Sequence, residues 1–137
     1  MLSAIPHMLQ IHPAGAPAED QNVLAVCVEA CFHCVTTCTV CADACLAEPK
    51  VEELIYCIRT NLDCADICLA TGRMVARQTK PDRQLMQAQL HACITACQVC
   101  GETCAKHGEM HEHCQICADI CHNCEMACQD LLAAILA

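Results

Sequence analysis

The 137-residue chain has no tryptophan, one phenylalanine (Phe32) and one tyrosine (Tyr56). Large aromatic side chains therefore do not fill its interior, and smaller groups must. Basic residues are also scarce: seven Lys and Arg stand against sixteen Asp and Glu, for a formal charge of −9. That balance argues against nucleic acid as a partner. The opening MLSAIPHMLQIHPAGAPAED has no Lys or Arg, and Pro6 and Pro13 interrupt its apolar run. Neither a secretory signal nor a twin-arginine leader is read there, so a cytoplasmic location is expected. No window is read as long and apolar enough to cross a membrane. The length suits one domain with a core that needs no disulfide staples.

What is abundant is cysteine, with 18 residues in the chain. Such a density marks a disulfide scaffold or a metal protein. In a reducing cytosol the second reading is favoured.

Prolines and polar clusters divide the chain. Residues 1–18 hold Pro6, Pro13, Gly15 and Pro17 and read as an arm with a short helix near its start. Four helices are expected after it, within a bundle spanning 19–137. The first covers 18–47, with Glu19 and Asp20 suiting the dipole at its start. The second covers 51 to about 78, after the turn Glu48–Pro49–Lys50. The third follows Pro81 and runs to about 107, with Gly108 as its C-terminal cap. The fourth covers about 109–135. Short connections between long helices predict an all-α, antiparallel, up-down-up-down four-helix bundle with a short N-terminal arm.

The cysteines follow one period. The first helix carries Cys27, Cys31, Cys34, Cys38, Cys41 and Cys45. The second carries Cys57, Cys64 and Cys68, with Asn61 in the missing place of the same register. The third carries Cys93, Cys97, Cys100 and Cys104, and the fourth Cys114, Cys117, Cys121, Cys124 and Cys128. Steps alternating between three and four mark the seam of a bundled helix. Every cysteine thus falls where Leu or Ile normally sits. At 1.5 Å per residue, the stripe on the first helix alone is about 27 Å long.

Cysteine packs well as a small hydrophobe. Eighteen in one register go beyond that role, because thiols fill little volume and oxidise easily. Disulfides fit poorly, since thiols four apart on one helix project side by side. Zinc knuckles put C-x-x-C pairs on tight turns. Here the pairs 31–34, 38–41, 97–100, 114–117 and 121–124 run through helix without Gly or Pro. The C-x2-C-x2-C run of iron–sulfur proteins is absent. Soft thiolates select Cu(I), which accepts two or three of them and lets one sulfur bridge two ions. About one Cu(I) per thiolate gives a neutral core, so the expected load is many ions, roughly one per cysteine. Loading displaces thiol protons and should strengthen as pH rises.

The stripe C-V-E-A-C-F-H-C-V-T-T-C-T-V-C-A-D-A-C, with its later counterparts, resembles the bacterial four-helix-bundle copper storage proteins, in particular their cytosolic, leaderless branch. The likeness spans residues 20–135. It implies a bundle filled with Cu(I), assembly as a homotetramer, and the ligand role for the seam cysteines. The arm carries no motif of that family.

Antiparallel alternation places the turns near 48–50 and 108–110 at one end of the bundle. Leu24, Val75, Met86, Leu90, Leu131 and Ile135 are expected to plug the other end, with Met86 as filler rather than ligand. Copper is expected to enter at the first end, past His107, His111 and Met110 as weaker ligands. Asn61 is expected to accept a thiol proton or to lean its carbonyl oxygen toward a metal, against the reading that a single buried Asn specifies register. His33, His91, His113 and His122 are read as surface residues beside the seam, and Asp63 and Asp66 as solvated flanks. His7 and His12 lie in the arm. Near-equivalent thiols with no Cys–His–acid constellation argue against an enzyme. The competing reading is a general zinc or cadmium thiolate buffer like a metallothionein. Expected partners are the ions, copper donor or acceptor proteins and further copies of the chain, with neither nucleic acid nor membrane.

Overall fold

A computed structural model of the chain describes residues 3–136. It contains a short helix α1 (Ile5–Gln10) and four long ones: α2 (Ala18–Leu46), α3 (Ile55–Ala76), α4 (Arg83–Lys106) and α5 (Glu112–Leu136). Helix α2 packs on α3 and α5, and α4 packs on both as well, so the four form a closed antiparallel ring. The side chain of Glu19, expected to meet the helix dipole, lies outside the described residues.

The helix ends are set by local chemistry. Helix α3 is entered through a 3-10 turn, Val51–Leu54, whose Leu54 is buried. It stops at Ala76, two residues short of the expected end, where Arg77 turns extended. Asp82, rather than Pro81, caps α4: its carboxylate accepts from the Leu85 amide at 2.8 Å. Gly108 does not take the left-handed cap conformation, for no glycine among the described residues has positive φ. A Cβ there would sit 2.3 Å from Gln115 Oε1, so a larger residue would displace that side chain. Helix α5 starts at Glu112, about three residues late, which leaves Met110 and His111 in the turn.

All 18 cysteines are buried, none more than 2% exposed, and all are free thiols. They occupy the central column, flanked by small residues such as Ala25, Ala65, Ala118 and Ala127 that let the helices approach. Gly72 marks the closest approach of α2 and α3, where an added Cβ would lie 3.0 Å from the Phe32 ring. A leucine in place of each cysteine would bury more carbon, at about 0.8 kcal/mol per CH₂. A thiol column therefore gives up apolar stabilisation that an ordinary bundle would have.

The membrane expectation needs correction. Asp20–Leu46 is long and apolar enough to cross a bilayer by length and composition. Its apolar character owes much to cysteine, and those cysteines face the bundle interior.

The ends of the column differ as alternation predicts. Leu24, Val75, Met86, Leu90 and Leu131 are buried at one end, with Ile135 partly buried. Arg83 donates to the Ile135 carbonyl there, tying the start of α4 to the end of α5. The arm adds to this plug: Leu9 is buried, and Ile5 and Ala16 pack against the same core.

Candidate metal centre

The helical register aims the cysteines inward, and the antiparallel ring brings sulfurs from different helices to one level. Cys34, Cys68, Cys97 and Cys124 come one from each long helix, with all four sulfurs within 4.8 Å of one another. Comparable groups are Cys31–Cys93–Cys124–Cys128, Cys34–Cys38–Cys64–Cys121 and Cys38–Cys100–Cys117–Cys121. Cys34, Cys38, Cys121 and Cys124 each belong to two groups. The column is therefore a chain of overlapping four-thiol sites rather than separate ones. Neighbouring sulfurs lie 3.7 Å apart at Cys34–Cys38 and at Cys38–Cys121, and 3.5 Å apart at Cys57–Cys104. Remaining links fall just under or at 4 Å, as for Cys27–Cys128 at 3.9 Å and Cys68–Cys93 at 3.8 Å.

Asn61 is fully buried in the α3 seam. Its Oδ1 accepts from the thiols of Cys100 (3.0 Å), Cys117 (3.2 Å) and Cys104 (3.3 Å). Its amide donates toward Cys57 Sγ at 3.8 Å. The geometry is that of an acceptor shared by three thiols.

At the 48–50 end the donor set changes. Cys41, Cys45, Cys114 and His113 form a group in which one nitrogen joins three sulfurs. His113 Nδ1 lies 3.4 Å from Cys41 Sγ and 3.6 Å from Cys114 Sγ. Its Nε2 pairs with Glu48 Oε2 at 3.0 Å, and the same oxygen is 3.0 Å from His111 Nδ1. The two imidazoles stack with centroids 5.5 Å apart.

Reading His113 as a surface residue was therefore wrong. It sits one residue off the seam, but at the start of α5 the ring reaches back over the thiols. From sequence alone Glu48 reads only as part of a turn. His107 is half-buried at the C-cap of α4, where its carbonyl accepts the His111 amide. Met110 is 74% exposed and lies outside the thiol column, because α5 begins after it. His33, His91 and His122 are exposed, as are Asp63 and Asp66.

Charge at this end follows the contacts. The His113 hydrogen bond, with help from His111, holds the Glu48 carboxyl below its usual range. Burial works to lower the His113 pKa, but Cys41 and Glu48 outweigh it and raise the value. Burial, then the neighbouring Cys41, pushes Cys45 up to about 11. Cys114 is raised as well, burial first. Cys41 is instead held below the ordinary thiol range by thiol donors, Cys104 foremost, then Cys117 and Cys57.

A closed four-helix ring around overlapping, free, buried thiols defines a polythiolate metal-binding bundle. Such a column suits soft metal ions held by shared sulfurs. The model of the copper storage protein family matches residues 20–133, and the chain belongs to that family. It is 48% identical to Streptomyces lividans Ccsp, a copper storage protein whose structure loaded with 10 copper equivalents has a TM-score of 0.91 to this one. That match covers 94% of this chain and 98% of the other. A five-copper structure of a cytosolic copper storage protein from the same organism is 50% identical, covers 85% and 98% of the two chains, and has a TM-score of 0.84. An uncharacterized cysteine-rich protein of Bacillus subtilis (strain 168), YhjQ, is 36% identical over 107 residues, 78% of this chain and 94% of that one.

Proposed function

We propose that the stored ion is Cu(I), taken up to roughly one ion per cysteine, with all 18 thiols as ligands. The observation that carries this reading is the overlap of the four-thiol groups through Cys34, Cys38, Cys121 and Cys124. Shared sulfurs favour an ion that accepts bridging thiolates at low coordination number. One positive charge per thiolate also leaves the dry column neutral, whereas a divalent ion at that loading would not. Zinc and cadmium remain the competing load, at fewer ions per thiol.

Loading replaces S–H protons by Cu–S bonds. Each ion arrives as Cu(I), each bound thiol releases one proton, and copper keeps its oxidation state. His113 Nδ1 then completes a mixed nitrogen–sulfur site with Cys45 and Cys114. His111 and His107 stand outside it as capture ligands. Asn61 Oδ1, released from its thiol donors as they deprotonate, is free to lean on an ion. Met110 is far enough into solvent that its part is confined to early encounter.

Cys41, His113 and Glu48 do line up as thiol, imidazole and acid, against the sequence expectation, but the thiol is buried among other thiols, which suits storage rather than turnover. The likeness to a cytosolic relative supports a cytoplasmic location. Homotetramer assembly is carried over from the family resemblance. Exposed apolar residues such as Val40, Leu62 and Leu69 leave surface for it. Copper donor and acceptor proteins would meet the histidine end.

An anaerobic titration of the reduced protein with Cu(I), in competition with a strong chelator, tests the load. Uptake should continue until ions and cysteines are about equal in number. Saturation at a few ions per chain, or release of the bound copper by zinc, would refute it.

A further inference from the structure

We propose that Glu48 is a positioning residue for copper uptake, one that sets His113 with its proton on Nε2 and the bare lone pair of Nδ1 turned to the thiols. The inference rests on the reading of this end as the entrance. Neutral imidazole has one donor and one acceptor nitrogen, and the partner of one decides the role of the other. Glu48 Oε2 can only accept, and it lies 3.0 Å from His113 Nε2. The opposite tautomer would set two lone pairs against each other at that distance. On the inner side, Cys41 and Cys114 present sulfur at 3.4 and 3.6 Å from Nδ1. The Cys114 thiol, held above its ordinary range, keeps its proton and can donate it to Nδ1, so that contact calls for the same tautomer as Glu48.

The arrangement matters because a metal needs the lone pair. A proton on Nδ1 would stand where the ion must bind, and it would have to leave before the fourth ligand of the Cys41–Cys45–Cys114 group could form. Glu48 itself is held in place by the helix before it: its amide donates to the Cys45 carbonyl at 3.2 Å. The carboxylate is thus fixed three residues beyond a thiol of the group it serves.

The same oxygen does the converse for the other ring. It lies 3.0 Å from His111 Nδ1 as an ion-pair contact, which favours a proton on that nitrogen and His111 Nε2 as the ligating atom. One carboxylate thereby turns two stacked imidazoles in opposite senses. His111 offers Nε2 for capture and His113 offers Nδ1 to the column, and an ion passes from one to the other with no tautomer change.

The experiment has two arms. Long-range ¹H–¹⁵N spectra of the reduced, copper-free protein, taken above the imidazole titration range, report the tautomer of each histidine. Stopped-flow uptake of Cu(I) from a chelating donor reports the entrance. Glu48→Ala should return His113 to a mixture of tautomers and slow the first uptake phase about tenfold, the low end for loss of a group that orients a metal ligand. Glu48→Gln, whose amide oxygen still accepts from Nε2, should keep the His113 tautomer and an uptake rate near that of the parent, which a role in turn stability alone would not require. If Glu48→Ala loads at the parent rate while His113→Ala loads slowly, the positioning role is overturned and the entrance stands. If both variants load at the parent rate, the entrance reading falls and this inference with it.

Discussion

The two ends of the bundle are built on the same helices, yet they differ in kind. At one end Leu24, Val75, Leu90 and Leu131 close the column, and the arm, with Leu9 buried, packs along α2. At the other the last thiols, Cys45 and Cys114, meet His113, Glu48 and His111. A uniform column has no direction of its own. The difference between its ends supplies one: an aliphatic plug gives an ion nothing to bind, while the other end offers nitrogen and carboxylate, which is where the proposed entrance lies. On that proposal, capacity belongs to the column and rate to one end.

The comparison is most strongly challenged at the plug. Leu90 is fully buried, so Leu90→Ala should lower the stability of the metal-free protein by about 2–5 kcal/mol. Copper uptake should not speed up, because the hole it leaves is apolar. Denaturant unfolding and stopped-flow uptake measure the two quantities, and faster loading would show that the plug is a second gate. A smaller effect is expected between the ends. Asn61→Leu removes the acceptor shared by Cys100, Cys104 and Cys117, and should cost the metal-free fold about 1–2 kcal/mol. The loaded protein should lose less, since its thiols no longer carry protons to donate. Equal losses in the two forms would mean that Asn61 serves packing alone.

The smallest effect is one of pH, and it falls on the open end. Cys45 has its pKa raised to about 11 and Cys114 is raised too, against about 8.5 for an unfolded thiol. Below the unfolded value both states hold their protons, and the stabilisation is complete. Above it the unfolded chain loses protons that the fold retains, so stability falls as pH rises through about 8.5 toward 11. Comparing urea midpoints at neutral pH and near pH 10.5 should show this loss in the copper-free protein and not in the loaded one. A flat midpoint in the copper-free form would contradict the raised thiols.

Much of this was legible without coordinates, and the particular residues show why. Cys27 to Cys45 declare their common face through spacing alone, because a helix repeats every 3.6 residues. Asn61 reads as a seam position for the same reason. Chain alternation then sorts the ends, since short turns force antiparallel neighbours. His113 escaped because register assigns it to the flank. What brings it inward is the turn at Glu48, 65 residues away in sequence, packed over the start of α5. Met110 shows the opposite case. It had the right spacing from Cys114, but the helix that would have carried it inward begins two residues later.

Local order therefore determined the helices, their thiol face, the number of sulfurs and the bundle that buries them. Those depend on residues three or four apart, where backbone geometry leaves little choice. Tertiary packing alone decided which four thiols share a level, which thiol is held low and which nitrogen of His113 faces them. Each of those depends on atoms brought together from different helices, and no spacing within one helix can specify them.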